Sequence, residues 1–461
     1  MSALITALIF AISEQTVNNL LDDIVISLET NTQNYQIPDQ SFELDLAAIV
    51  NFDFTEIYLE KLKITGYQAT MISPDSIDLD IESLNLKVSF QYKYELNGLI
   101  DKGTGLLEII NTTISTTALS SSQKTVKFSP LNTKVKVHDI LIEVNKPDSK
   151  NQNWVFAFLK PELKDLISDQ VKSIINSGIE AIDLGDMYTS FNNSDLAFNY
   201  SLSHPLTITD QMLKGESLGI FIQESNPNYN PPIPKPVDAV ITEIEGIQFV
   251  ASDYVLNSLS YAAFISGLLN FTITNSNLPQ DLPFGLTTTT VGLIIPELIV
   301  EYGLGKPVNF SCNFVEPPFM NFVDNNEWSA QIKALGYMEC EIFVDNEVAL
   351  KLGVSVIGDA RLYLEEWKIK GTINELKVDK VEVISATIDV NTDDVKDFIN
   401  SSLETYIKTI NDNALKNGIE IPDFGKFDLK DSKVKTGTGF LYLLINPSLS
   451  FTLEDLINFL G

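Results

Sequence analysis

The chain has 461 residues, with 31 Lys and Arg against 62 Asp and Glu, for a formal net charge of −31 at pH 7. That charge repels nucleic-acid phosphates and anionic membrane surfaces, so nucleic-acid binding is excluded as a function. With 44% apolar and only 20% charged residues the chain is not an acidic disordered polymer, and its length can fill more than one core.

From the N-terminus, Ala3 to Ile12 is apolar except for Thr6, and Ala11-Ile12-Ser13 fits a small-x-small cleavage pattern without a basic region before it. Residues 1–13 read either as a possible signal peptide or as the first turns of a leading helix. No later run is long enough to cross a membrane. After Thr16, the residues Val17, Leu20, Leu21, Ile24 and Leu28 form the stripe of an amphipathic helix that ends before Asn31. Extended chain starts at Gln36-Ile37-Pro38.

Ile77, Leu79 and Ile81 alternate, the phase slips at Glu82-Ser83, and alternation resumes at Leu84, Leu86, Val88, Phe90, Tyr92 and Tyr94, which predicts a bulge in a long strand. The Ser/Thr-rich stretch from Asn111 to Ser122 reads as a connection, and Val135, Val137, Leu141 and Ile142 continue the β region. A second helix follows, with Pro161 at its start and Leu163, Leu166, Ile167, Val171, Ile174 and Ile175 on one side. The proline-rich stretch Asn226 to Pro236 can be neither helix nor central strand and predicts an extended strap.

The second half repeats this programme. A helix runs from Asp253 to about Leu269, with Leu256, Leu259 and Ala263 as its apolar side. Strands follow around Val308–Val323, Ser329–Val344 and Val348–Ile388. A helix capped near Asn391 carries Val395, Phe398, Ile399, Leu403, Tyr406 and Ile407. These six lie 232 positions beyond the six of the earlier helix, and Asn257-Ser258-Leu259 lies 239 beyond Asn18-Asn19-Leu20. A third echo places Gly418-Ile419-Glu420 at 240 beyond Gly178-Ile179-Glu180. The three in order predict an internal duplication. Cys312 and Cys340 are the only cysteines and lie equidistant from Asn326. With a hairpin tip there they sit opposite one another, as a disulfide or as two buried thiols.

A twisted sheet curled around a long apolar helix leaves an elongated gap unless side chains fill it. An acyl chain can substitute for the missing core at about 0.8 kcal/mol per CH₂, or roughly 12 kcal/mol for sixteen carbons before ordering costs. The pattern leaves both a filled core and a lipid slot open.

Chemistry finds little support. Gly215-Glu216-Ser217-Leu218-Gly219 fits a nucleophile elbow, but His138 and His204 both precede the serine and a strand follows it. Asp389, Asn391 and Asp393 start like a calcium loop, yet Asp394 stands at the glycine position and Asn400 at that of the bidentate Glu. Neither catalytic residues, a metal site nor a cofactor is expected.

Leu213-Lys214-Gly215-Glu216-Ser217, the proline-rich stretch, and Ser252-Asp253-Tyr254 with Asn257 occur in the order seen at the centre of one family. So do Gly371 to Asp379 and Asn417-Gly418-Ile419-Glu420-Ile421-Pro422 further on. The chain thereby resembles the family of bactericidal/permeability-increasing protein and lipopolysaccharide-binding protein. The resemblance implies an α+β fold of two tandem pseudo-symmetric barrels, each a highly twisted antiparallel sheet wrapped on long helices, joined as a boomerang by a central sheet and a Pro-rich linker. It implies a barrel over residues 1–217, a linker region over 218–240 and a second barrel over 241–461. The implied function is non-enzymatic binding or transfer of phospholipid or another acyl lipid in an apolar tunnel in each half, with transient membrane or lipid-particle contact and a role in defence. The lining implied is Val17, Leu20, Leu21, Ile24, Leu28, Leu163, Ile167, Val171, Leu256, Leu259, Ala263, Val395, Ile399 and Leu403.

Such a protein is secreted or lumenal and a monomer; sequons at Asn111, Asn192, Asn199, Asn270, Asn309 and Asn400 permit glycosylation. The sequence departs from the family in two places. Its usual first-half disulfide is absent, with Lys172 at the helix position, and the loop from Phe90 to Ile100 holds Lys93 beside Glu95 where lipopolysaccharide binders cluster cations. The alternatives are an interaction module of the same fold with filled tunnels and, less supported, a lipid esterase using Ser217.

Overall fold

The computed structural model describes residues 6–31, 35–45, 49–96, 99–120, 125–145, 153–182, 188–190, 195–226, 241, 246–276, 285–325, 327, 329–365, 368–411, 416, 419–420, 427–428, 432–445 and 448–449. The chain opens with β1 (Leu8–Ser13) and α1 (Glu14–Asn31). Next come β2 (Tyr35–Ile37), β3 (Gln40–Asp45), β4 (Ile49–Ile72), β5 (Ser76–Leu96), β6 (Leu99–Ser120), β7 (Phe128–Asn145) and α2 (Asn153–Glu180). Short strands β8 (Tyr188–Ser190), β9 (Leu196–Asn199), β10 (Thr207–Ile208), β11 (Met212–Ser217) and β12 (Ile220–Gln223) lead to the middle of the chain.

The second half starts with β13 (Ile247–Ser252), α3 (Tyr254–Ile265), β14 (Asn270–Ile273), α4 (Thr288–Val291) and α5 (Glu297–Tyr302). It continues through β15 (Val308–Phe314), β16 (Phe319–Val323), β17 (Ala330–Val344), β18 (Glu347–Glu365), β19 (Lys368–Ala386) and α6 (Thr392–Ile410). It ends with β20 (Ile419–Glu420), β21 (Phe427–Asp428), β22 (Lys433–Gly437), β23 (Phe440–Ile445) and β24 (Ser448–Leu449).

Two long antiparallel sheets and a central sheet organise these elements. The first runs β2-β4-β5-β6-β7, with β3 beside β4, and the second runs β14-β15-β17-β18-β19-β20, with β16 beside β17. The central sheet, β10-β11-β1-β13-β23-β22, takes strands from both halves. At its middle β1 pairs antiparallel with β13, and Phe10 stands opposite Phe249. Those residues are 239 positions apart, the same offset that relates Asn18 to Asn257, so each half contributes its equivalent strand to one pairing. Gly215, the strand neighbour of Phe10, has no side chain because a Cβ there would fall 2.1 Å from the Phe10 ring.

Several expectations need correction. The apolar N-terminal run is not a helix start over Leu8–Ser13 but a strand whose Ile9, Ala11 and Ser13 are buried. A short, uninterrupted apolar run is as compatible with a buried strand as with a helix, and Ile9, Phe10 and Ile12 favour the strand. The Ser/Thr-rich stretch from Asn111 is no connection as far as Ser120, because it forms the second half of β6 and buries Thr112 and Thr116. Threonine is β-branched and suits a strand despite its hydroxyl. Pro161 lies inside α2 and not at its start, and Leu166 and Ile174 are exposed. Helix α3 ends at Ile265, one turn earlier than expected. The strap from Asn226 to Pro236 falls, after Asn226, outside the described residues.

Other expectations hold. The pairing of β5 with β6 shifts register between Ile81 and Leu84, at Glu82-Ser83. Asn391 caps α6, accepting the Asp393 N–H at 3.1 Å. Cys312 and Cys340 face each other in register across β15 and β17, with Cα atoms 4.1 Å apart, and form a disulfide. It closes a loop spanning 28 positions, so replacing both by serine is expected to lower unfolding stability by about 3 kcal/mol, read from denaturant midpoints. An unchanged midpoint contradicts this.

Candidate functional site

Each long sheet has an edge that no long strand covers. Strands β3 and β2 pair with β4 only as far as Leu59, which leaves the backbone from Glu60 to Ile72 on an edge. Helix α1 lies against that edge and supplies hydrogen bonds from side chains. Asn18 Oδ1 accepts the Ala69 N–H at 2.9 Å, and Asn18 Nδ2 donates to the Ala69 carbonyl at 2.8 Å. Glu14 Oε2 accepts the Met71 N–H and Glu29 Oε1 the Ile64 N–H, each at 2.7 Å.

The same carboxamide clamp recurs in the second half. Asn257 of α3 holds Met320 of β16 through both backbone atoms, at 2.8 and 2.7 Å. Asn400 of α6 holds Val378 at 2.7 and 3.1 Å, and Asn411 beyond its end holds Ile373 at 2.8 and 3.0 Å. Polar side chains thus stand in for a missing strand, because a buried backbone N–H or carbonyl left unpaired is costly. Since Asn400 uses both carboxamide atoms, this sequon is already engaged in the fold.

A helix fixed by its polar side turns its apolar side inward. Helix α3 buries Asn257, Ser258 and Ser260, while Leu256, Leu259 and Ala263 are half-buried. Ser258 Oγ accepts the Phe221 N–H at 3.0 Å, and Ser260 Oγ donates to the Pro318 carbonyl at 2.5 Å. On α1, Leu20, Leu21, Ile24 and Leu28 are likewise half-buried, and none joins a described core cluster; only Val17 packs on one.

The sheets show where the interior is filled. One end of the first barrel is packed with Val50, Phe52, Val88, Phe90, Tyr92, Tyr94 and Leu159. Rings there pack closely, with Phe54 and Phe90 edge-to-face at a centroid distance of 5.0 Å, and burial raises the pKa values of Tyr92 and Tyr94. The opposite end packs Met71, Phe128, Ile179, Leu202 and Leu213. Between them Leu79, Ile81 and Leu84, on the inner face of β5, are half-buried and outside the described clusters, as is Val171 of α2. Leu163 and Ile167 pack on Ile109, Val137 and Ile140.

In the second barrel Val395, Ile399 and Leu403 join a core with Leu298, Leu350 and Val354. That stripe is packed by protein and differs from those of α1 and α3. Towards the central sheet the paired inner positions shrink: Ala334 faces Gly358, Gly336 faces Val356, and Ile332 faces Ala360. A Cβ at Gly358 would stand in ordinary contact with Ala334, Leu376 and Glu375, 3.6 to 3.9 Å away, whereas one at Gly336 would meet the Phe314 ring at 2.6 Å.

No catalytic arrangement emerges among the described residues. Ser217 is fully buried and donates to the Tyr200 carbonyl at 2.5 Å, far from the exposed geometry of an elbow. His204 Nδ1 meets both Ser203 Oγ at 3.2 Å and Glu216 Oε2 at 3.1 Å, which leaves no relay through the ring. Among the described residues no Asp, Glu, His or Cys cluster could hold a metal. Lys134 and Lys136 of β7 are exposed to solvent.

The clamps escaped the sequence because each Asn meets its partner across the fold, 51 positions away for Asn18 and 63 for Asn257. Their shared place at the 239 offset was the one signal. Replacing Asn257 by Ala strands the Met320 N–H and carbonyl and is expected to cost about 2 to 4 kcal/mol by urea titration. A loss under half a kcal/mol (about the effect of a surface change) contradicts the clamp.

Burial opposes ionisation of Glu29, but the Ile64 N–H and the Lys63 ammonium outweigh it and hold its carboxyl below the usual glutamate range. A folded pKa below the unfolded value of about 4.3 contributes stability above that value, lost as pH falls through the folded one. Protection of the Ile64 amide from hydrogen exchange should therefore fall on acidification below pH ~4. In Glu29→Gln that step should vanish; retention of the step assigns it elsewhere.

Comparison with known proteins bears on the whole chain. The model of the LBP / BPI / CETP family, C-terminal domain, matches residues 190–447. The lipopolysaccharide-binding protein of Mus musculus is 23% identical over 443 residues, covering 92% of this chain and 89% of that protein. The bactericidal permeability-increasing protein of Sebastes schlegelii is 19% identical over 446 residues, covering 92% and 91%. A crystal structure of lipopolysaccharide binding protein matches with a TM-score of 0.53 at 19% identity, over 97% of this chain and 100% of that one. The shared fold is the two-barrel arrangement expected from the sequence.

Proposed function

The chain belongs to the LBP / BPI / CETP family, and on that footing we propose that it is a non-enzymatic lipid carrier holding acyl chains inside each barrel. The observation that carries this reading is the middle of the first barrel. There the inner residues Leu79, Ile81 and Leu84 and the α1 stripe remain half-buried, while both ends are closed by packed clusters. A guest of CH₂ groups would add about 0.8 kcal/mol per group buried. In the second barrel the guest sits against the Ala334, Gly358 and Ala360 wall and the α3 residues Leu256, Leu259 and Ala263, with the α6 stripe as packed core behind it. The halves divide at 1–217 and 241–461 with 218–240 between them.

The cargo is a zwitterionic or neutral lipid. The relatives are named for lipopolysaccharide, whose phosphates need fixed cations; here Lys93 is the single cation from Phe90 to Ile100, flanked across the strands by Lys102 and Asp53, and the single arginine, Arg361, is paired with Glu327 at 2.9 Å. A structural disulfide suits an oxidising, secreted or lumenal setting. The protein works as a monomer that meets membranes or lipid particles transiently.

Native mass spectrometry of gently purified chain is expected to find about one phospholipid per barrel. Leu20→Asp should empty the first barrel and Gly358→Leu the second, each halving the lipid content at unchanged circular dichroism. Lipid-free wild type, by contrast, would leave a closed interaction module of the same fold.

A further inference from the structure

The slip of register in the first sheet has a counterpart on β6. Leu86 pairs with Ile109 but Leu84 with Thr112, so β6 carries one residue more than β5 between these rungs. Strict alternation from buried Ile109 would point Asn111 inward and Thr112 out to solvent. The extra residue reverses this: Asn111 is exposed, while Thr112, Ile114 and Thr116 are buried. A bulge re-aims the side chain beside it, and here that side chain is a threonine.

Polar side chains hold the bulge from outside. Asn111 takes left-handed backbone, with φ of 56°, and its N–H donates to Asn85 Oδ1 at 3.0 Å. Ser83 Oγ donates to Asn111 Oδ1 at 3.1 Å and accepts from Asn85 Nδ2 at 3.0 Å. Inside the barrel, the next polar groups along the strand satisfy one another. The Thr116 and Thr133 hydroxyls are 2.7 Å apart, and Thr133 donates to Asn176 Oδ1 at 2.6 Å.

Thr112 is different. Its side chain is fully buried, and its hydroxyl hydrogen-bonds to none of the described residues. Across the strands it stands between Val137, which packs with Ile109, Ile140 and Ile167, and Leu84, which joins no described cluster. It therefore lies where packed core gives way to the stretch of Leu79, Ile81 and Leu84. Valine has the same shape without the hydroxyl, and Val135 and Val137 serve on the next strand.

We propose that Thr112 sets the lipid specificity of the first barrel by hydrogen-bonding a hydroxyl carried within the hydrocarbon body of the guest, on a hydroxylated acyl chain or a sterol. A plain chain leaves the Thr112 hydroxyl unpaired in apolar surroundings and binds less well by that cost. A guest hydroxyl restores the bond, so the site discriminates through what a poorer guest leaves unpaired. This deepens the carrier reading and rests on it.

Competitive loading of the delipidated full chain, read by native mass spectrometry, tests this. Offered equal amounts of hydroxystearoyl and stearoyl phosphatidylcholine, wild type is expected to take the hydroxylated lipid about tenfold over the plain one in one of its two barrels. A parallel arm offers cholesterol against cholestane, which has the same rings without the hydroxyl. Thr112→Val should bring the ratio to about one, and Thr112→Ser should keep it. Thr112→Val should also leave the lipid-free chain at least as stable as wild type, because it removes an unpaired hydroxyl and keeps the β-branched shape. Enrichment in either arm that Thr112→Val abolishes upholds the inference and assigns the source of the hydroxyl. Lipid bound without enrichment in both arms, or enrichment that survives in Thr112→Val, overturns it and leaves the carrier reading standing. A lower unfolding midpoint for lipid-free Thr112→Val also overturns it, by giving the hydroxyl a structural bond. No bound lipid of any kind overturns both.

Discussion

The constraint from which the architecture follows is the need to satisfy a sheet edge buried beneath a helix. Ala69, Met320, Val378 and Ile373 each offer a backbone N–H and carbonyl to a helix and no strand, and Asn18, Asn257, Asn400 and Asn411 answer with both atoms of a carboxamide. A carboxamide has the donor and acceptor of a peptide group, so it extends the ladder by one rung without a strand. The cost is orientation. Once its polar side is pinned to the edge, the helix must direct Leu, Ile and Val into the barrel. The inward apolar side of each helix is therefore a consequence of how the sheet is closed.

Duplication gives the arrangement its symmetry. Phe10 and Phe249 are equivalent by position and also opposite each other in the central sheet, with centroids 6.4 Å apart. The two halves are thus locked together through the one strand each can pair with its own counterpart. From that junction the barrels diverge in how they are filled. The first packs an aromatic cluster at one end, while Leu79, Ile81 and Leu84 at its middle join no described cluster. The second packs its α6 stripe firmly and thins its wall to Ala and Gly towards the centre.

Much of this was legible in the residues. The α1 stripe, the slip at Glu82-Ser83 and the Cys312–Cys340 pairing followed from periodicity and symmetric spacing, which depend on local geometry. What escaped depended on remote partners. Ile9 and Ala11 are buried by strands more than two hundred positions away, so their run could equally have been helix. Thr112 and Thr116 look like loop residues until neighbouring strands cover them. Pro161 reads as a helix start because its missing N–H costs least there, yet the helix begins two turns before it. The apolar stripes were legible by residue type, but which of them join a packed core depended on the opposite wall: Leu350 and Val354 meet the α6 stripe, whereas no described cluster takes up Leu20, Leu21, Ile24 and Leu28.

The central claim is that acyl chains occupy the barrel middles, and photochemistry tests it most directly. A phospholipid bearing a diazirine on its acyl chain, exchanged into the protein and irradiated, should label peptides containing Leu79 to Leu84 and Ala334 to Gly336. Labelling restricted to exposed residues would contradict it, leaving a two-barrel protein that touches lipid without enclosing any.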